Sequence, residues 1–203
     1  MCRVKNKLIY GVGINDFDGI VFSNNKPIPE YRLWHDMLRR CYSSKKQKHS
    51  PTYTEIFVED YLLYFTNFYN FIRNLKGFNQ SDEKGKLFEM DKDLLIKGNK
   101  TYSRSSICFL PSSVNKFLTK NNRTRGKYPI GVSYHKSACK YVAYINLEGK
   151  LKHLGCFNDQ HKAFHAYKLA KEDAAKSLAE KYKDQIDQKA FDALLNFVVE
   201  ETD

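Results

Sequence analysis

Residues 128–157 read Tyr128-Pro-Ile-Gly-Val-Ser-Tyr-His135, then Lys140-Tyr-Val-Ala-Tyr-Ile-Asn146, then Gly149-Lys-Leu-Lys-His-Leu-Gly-Cys-Phe157. Alternation marks the middle segment as a strand: Tyr141, Ala143 and Ile145 fall on one face, and Lys140, Val142, Tyr144 and Asn146 on the other. Leu147-Glu148-Gly149 is a turn in which Gly149 supplies the permissive backbone. Beyond residue 157, Ala163, Phe164, Ala166, Tyr167, Ala170, Ala174, Leu178 and Tyr182 recur at helical spacing. Three short strands and one amphipathic helix predict a small antiparallel sheet with one face under the helix and the other open.

Charge follows the same division. From Lys120 to His153 there are eight Lys or Arg (Lys120, Arg123, Arg125, Lys127, Lys136, Lys140, Lys150 and Lys152) and one acid, Glu148. From His161 to Asp203 there are seven Lys and nine acids, so the net charge of +11 is carried by the preceding part of the chain. Basic residues interleaved with Tyr and His suit phosphate contacts combined with groove readout. The competing reading is a solvated basic face.

Gly131-Val132, Lys140 to Ile145, Gly149-Lys150, Leu154-Gly155-Cys156-Phe157 and Ala163 through Ala170 together resemble the AP2/ERF DNA-binding domain, in the version found in plant transcription factors and phage homing endonucleases. The resemblance covers about a quarter of the chain. It implies double-stranded DNA as partner and places DNA-contacting strand positions on Ser133, His135, Tyr144, Asn146, Leu151 and His153. The plant domain mostly has Arg, Trp and Glu there, so its target sequence does not carry over. Lys152 stands where an inward apolar residue is expected.

The chain's 203 residues hold one domain or two small ones, and a hydrophobic content of 42% is enough for a core. The start, Met1-Cys-Arg-Val-Lys-Asn-Lys7, has no apolar run behind it, and no stretch approaches a membrane span. A cytoplasmic protein with no membrane partner is expected. The five cysteines (Cys2, Cys41, Cys108, Cys139 and Cys156) are odd in number and widely spaced; they read as reduced thiols without a structural-zinc pattern.

Upstream of the sheet, residues 5–23 read as strand, glycine turn and strand; Gly11 and Gly13 lack the third glycine of a dinucleotide site. Pro29 opens an amphipathic helix over 29–42, with Tyr31, Trp34 and Leu38 sharing a face with Cys41. Residues 43–51 form a basic loop, the best candidate for disorder. A single aromatic-rich helix is expected over 57–75, buried on most sides, with a short helix over 112–118 and an amphipathic one over 188–200. The expected division is 1–120 for a helical module and 121–203 for the sheet domain with its helical cap.

Asp91-Lys-Asp-Leu-Leu-Ile-Lys-Gly-Asn99-Lys100, Cys108-Phe-Leu-Pro111 and Asn115 resemble the HNH nuclease motif of phage homing endonucleases, in which a hairpin and a helix surround one divalent metal. The helix around Trp34 and the run Pro51-Thr-Tyr53 look like the module preceding that motif in phage proteins. The resemblance implies a catalytic group among Asp91, Lys92, Asp93 and Asn99, with Asp91, Asp93 and Asn115 as oxygen ligands to Mg²⁺ if the site is active, and no cofactor otherwise. The base position falls on Lys92, and no histidine lies between His49 and His135. A protonated lysine cannot take a proton from water unless burial drives its pKa far down.

The expected protein is therefore α+β: a helical part with an HNH-like hairpin-helix, then a three-stranded antiparallel sheet plus helix. Three functions stay open. One is a double-stranded DNA-binding protein that has lost the catalytic histidine. Another is a metal-dependent endonuclease or nickase whose base is Asp91, Asp93 or His49. The third is a phage effector that binds a host protein of defence or transcription. On the DNA-binding reading, Arg123, Arg125, Lys127, Lys136, Lys140, Lys150 and Lys152 take phosphates, while Ser133, His135, Tyr144, Asn146 and His153 lie nearer base edges. His161 and His165 share a helix face at i, i+4 but have no third ligand.

Overall fold

The computed structural model describes residues 8–49, 54–119, 127–147 and 149–203. The chain is mixed α+β and divides into two compact units, Met1–Leu110 and Pro111–Asp203. The break falls ten residues before the boundary expected at residue 120 and assigns the 112–118 helix to the second unit.

The first unit opens with a tight turn bridging Ile9 to Gly13, then a hairpin of β1 (Phe22–Ser23) and β2 (Lys26–Pro27). Asn24 and Asn25 make its turn at φ 49° and 59°, a left-handed pair that Asn tolerates. Helix α1 (Pro29–Tyr42) begins with Pro29 in its first turn, where the missing N–H costs nothing, and carries Arg39 and Arg40 at its negative end. It buries Trp34, Met37, Leu38 and Cys41, spaced as one helical stripe. The Trp34 indole donates to the Leu62 carbonyl at 2.9 Å, which satisfies the one polar atom of that ring. Gly13 packs against this stripe: a Cβ there would lie 2.3 Å from Leu38 Cδ1, so a larger residue would push α1 away.

Three expectations upstream of residue 75 change. In place of the strand, turn and strand expected over 5–23, residues 8–21 hold only isolated bridges at Ile9, Gly13 and Ile14, and the first strand is β1. The basic segment is helix α2 (Ser44–His49), not a loop; residues 50–53, with Pro51 and Tyr53, lie outside the described set. The single helix over 57–75 is replaced by β3 (Phe57–Val58), α3 (Asp60–Leu63) and α4 (Phe65–Arg73). The cause is a backbone bridge that a helix pattern does not reveal. Ile14 N–H donates to the Leu63 carbonyl and Phe65 N–H to the Ile14 carbonyl, both at 2.9 Å, and this holds Tyr64 extended. Burial is one-sided: Phe65, Phe68 and Ile72 are inside, while Tyr61 and Tyr64 are exposed.

Strands β4 (Glu89–Asp91), β5 (Thr101–Tyr102) and β6 (Cys108–Leu110) complete the unit. β4 pairs with β6 antiparallel, and β5 pairs with β3 in parallel. The β4–β6 connection is therefore a long excursion rather than a tight turn.

The second unit starts with α5 (Ser112–Leu118), followed by β7 (Val132–His135), β8 (Lys140–Leu147), β9 (Lys150–Phe157), α6 (Gln160–Tyr182) and α7 (Gln188–Leu195). The three strands form an antiparallel sheet in the order β7-β8-β9. α6 starts at Asp159, whose carboxylate accepts the Lys162 N–H at 2.9 Å. Its first half covers the sheet: Phe164 and Tyr167 pack on Ile145, ringed by Ile130, Val132, Leu147 and Leu154. Full burial of such a side chain contributes about 1.5–3 kcal/mol.

Gly131 is where the helix comes closest. Its φ is +78°, and a Cβ would lie 2.1 Å from the Tyr167 ring. The helix stripe departs from expectation in its second half, where Ala175 and Ala179 are buried while Ala174 and Leu178 are half-buried. There α6 packs on α7, so the buried face rotates. α7 ends at Leu195, short of the expected residue 200. The chain beyond it is strapped to α6 by Val199, whose N–H donates to Glu172 at 2.9 Å and whose carbonyl accepts from Lys168 at 2.6 Å. No helix among the described residues is long and apolar enough to cross a membrane.

Candidate nucleic-acid interface and the Asp91–Asn99 loop

Strand register sorts the sheet into faces. Val132 pairs with Ala143, and Ile145 and Leu147 lie on the same side of β8, under α6. The opposite, open face carries Ser133 and His135 on β7, and Lys140, Val142, Tyr144 and Asn146 on β8. On β9 it carries Leu151, His153 and Cys156, which pair with Asn146, Tyr144 and Val142 respectively. His153 and Cys156 are three apart, a separation that in a regular strand turns side chains to opposite faces. A bulge at Leu154 opposite the Ala143–Tyr144 step restores them to one face, and Gly155 takes it up at φ +139°. His153 Nε2 then lies 3.6 Å from Cys156 Sγ, and its ring lies 5.2 Å from that of Tyr144.

Ser133, His135, Asn146, Leu151, His153 and Cys156 are exposed on this face, Tyr144 and Lys140 half-buried, and Val142 buried. The His135 ring is held by Ser137 at 3.2 Å. Lys140 donates to the Asn158 side-chain oxygen, a neutral partner. Lys136 is exposed in the β7–β8 turn, and Lys127 lies 5.3 Å from the Tyr128 ring centroid. Lys150 and Lys152 are exposed but pair with Leu147 and Ile145, so register turns them to the α6 side; they reach a ligand on the open face only around the β9 edge. Arg123 and Arg125 lie outside the described residues. Cys156 was not among the expected contact residues, because a bulge leaves no mark in the alternation.

The Asp91–Asn99 loop has the opposite character. Asp91 Oδ1 accepts the N–H groups of Asp93 at 2.9 Å and Leu94 at 2.8 Å. Burial pushes its carboxyl pKa up, against the pull of those two N–H groups. Lys92 is only 5% exposed; its ammonium donates to the Asp93 carboxylate and, at 3.1 Å, to the Asn99 carbonyl, and lies 5.7 Å from the Tyr102 ring centroid. The Asn99 side chain donates to the carbonyls of Lys92 at 2.7 Å and Thr101 at 2.8 Å and accepts from Thr101 N–H at 3.0 Å. Nearby, burial pushes the Cys41 thiol up to about 12, which makes it inert.

These residues do not fit the divalent ion that the nuclease resemblance implies. The ammonium of Lys92 already neutralises Asp93, Asp91 holds a turn, and the Asn99 amide has both its ends engaged within the loop. Lys92 acts here as a donor, not as the acceptor that a general base must be. Asn115 lies on α5, where its backbone N–H donates to the Pro111 carbonyl at 3.0 Å. Among the described residues no three His, Cys, Asp or Glu side chains converge as a metal site.

No family model, no curated protein and no solved structure matches this chain.

Proposed function

We propose that this chain binds double-stranded DNA through the open face of the β7–β9 sheet, and that the Asp91–Asn99 loop is the frame of a nuclease-like site without the chemistry. One observation carries the reading. The helix packs on one sheet face over Val132, Ile145 and Leu147, and the face it leaves bears Ser133, His135, Tyr144, Asn146 and His153 with Lys136 and Lys140 at its margin and, among the described residues, no carboxylate. Hydroxyl, amide and imidazole groups on a twisted sheet offer donors and acceptors to base edges, and the marginal lysines offer charge to phosphates. A sheet face that served only as surface would gain nothing from excluding acids, whereas the sequence from His161 onward carries more acids than lysines.

The test is one gel, with supercoiled and linear DNA incubated with the protein in EDTA, Mg²⁺ or Mn²⁺. The reading expects a mobility shift that is equal in EDTA and leaves the DNA intact. Metal-dependent nicking would restore the endonuclease reading. No shift at low salt would remove DNA as the partner and favour a protein partner.

A further inference from the structure

We infer that helix α2 is a second phosphate-binding element, which takes the backbone of double-stranded DNA. The inference rests on the reading of the sheet as a DNA interface and adds a contact from the other unit. Between Asp36 and Glu55 the sequence has five Lys or Arg and no acid. Two of the five are used within the fold: Arg39 pairs with Asp36 at 2.9 Å, and Arg40 donates to the Tyr102 hydroxyl at 3.4 Å. The other three, Lys45, Lys46 and Lys48, all stand on α2.

α2 buries none of its residues, so core packing does not account for it. Six residues are also too few to hold a helix alone, because nucleation costs more than so few hydrogen bonds return. The order is supplied from α1. The Ser43 hydroxyl accepts the Lys46 N–H at 3.4 Å, the Ser43 carbonyl accepts the Gln47 N–H at 2.9 Å, and the Gln47 side chain reaches back to the Cys41 carbonyl. Three ammonium groups thus sit on a fixed support, with Lys45 and Lys48 exposed. Lysine meets phosphate as a point charge without base selectivity, so α2 adds affinity and salt dependence rather than sequence preference.

The experiment is fluorescence anisotropy of a labelled random-sequence duplex against the full chain, in EDTA, across a series of KCl concentrations. Variants are the triple Lys45→Gln, Lys46→Gln, Lys48→Gln, the same three changed to Arg, and Lys48→Gln alone, each checked by circular dichroism. The slope of log K against log salt is expected to flatten by about 0.9 per lysine removed, up to about 2.7 for the triple, and to persist in the arginine variant. Lys48→Gln, on an exposed side chain, keeps the test valid if the triple variant misfolds. An unchanged slope in folded variants overturns the inference; if His153→Glu still weakens binding, the sheet reading stands without α2. A wild-type chain that does not bind at low salt removes both. Loss of binding to polyglutamate but not to DNA would assign α2 to an acidic polypeptide and overturn the inference.

Discussion

The Asp91–Asn99 loop and the open face of the β7–β9 sheet are both rich in polar side chains, and they use them in opposite ways. In the loop, the Asn99 amide makes three hydrogen bonds to backbone groups, and the Lys92 ammonium is turned inward onto Asp93 and the Asn99 carbonyl. On the sheet, Ser133, His135, Asn146 and His153 project into solvent from a rigid support whose other side is core. Polar groups consumed by their own loop hold structure, because an unpaired buried group costs more than a made bond returns. Polar groups displayed on a packed sheet add little to the fold and are available to a partner.

The largest expected effect would break this contrast from the loop side. Asn99→Ala removes three bonds and leaves two carbonyls and one N–H to be resolvated, so urea unfolding should show a loss of about 2–4 kcal/mol, with no change in the salt slope of DNA binding. A variant as stable as the wild type would mean that the loop is not held by Asn99. Lys92→Met sharpens the point. It keeps the volume and removes the charge, and Asp93, whose side chain is 64% exposed, can be hydrated in its place. The expected stability change is under about 1.5 kcal/mol.

The sheet variants come next. Asn146→Ala and His153→Ala should each weaken DNA binding by about 1–3 kcal/mol, read by titration, while the urea midpoint stays in place. Equal loss of stability would make them structural residues like Asn99.

The two regions were not equally legible in the sequence. The faces of β8 follow from strict alternation, and Tyr141, Ala143 and Ile145 share a side as the pattern requires. The reach of β9 does not follow, because the bulge at Leu154 shifts the phase midway and brings Cys156 to the open face. The break at Tyr64 was hidden because its cause, Ile14, lies fifty residues away. α2 was hidden because its order comes from Ser43 and Gln47 reaching into α1, while its own composition reads as loop. The pattern from Asp91 to Asn99 was visible, but only side-chain geometry shows that Lys92 donates inward.

Chemical labelling gives a third test. Cys139 and Cys156 are both exposed thiols, Cys139 in the β7–β8 turn and Cys156 on the open face beside His153. A maleimide adduct on Cys156 should block DNA binding, and bound DNA should protect Cys156 from the reagent. An adduct on Cys139, tested in a Cys156→Ser background, should leave affinity within about threefold, a difference of well under one kcal/mol. Equal effects from both sites would move the interface to the turn.

The last prediction concerns the support behind the sheet. Burial pushes the Lys171 ammonium down to about 8, although it donates to the Phe117 carbonyl and lies 3.6 Å from the Phe117 ring centroid, contacts that favour the charged form. Its folded pKa lies below the ordinary lysine value of 10.5, so between these two values the unfolded chain binds more protons. Stability should therefore rise with pH through that window. Lys171→Met should abolish that part of the rise, as read from Tm at pH values on either side of 8.

The most direct measurement compares DNA binding by the wild type and by Asn146→Glu, His153→Glu in EDTA over a range of salt. These substitutions put carboxylates at the centre of a face that has none among the described residues and touch no core residue. The account predicts that the wild type binds with an affinity that falls linearly in log salt, and that the double variant, folded to the same extent, loses at least about tenfold at every salt. Undiminished binding by that variant would contradict the assignment of the open sheet face as the interface.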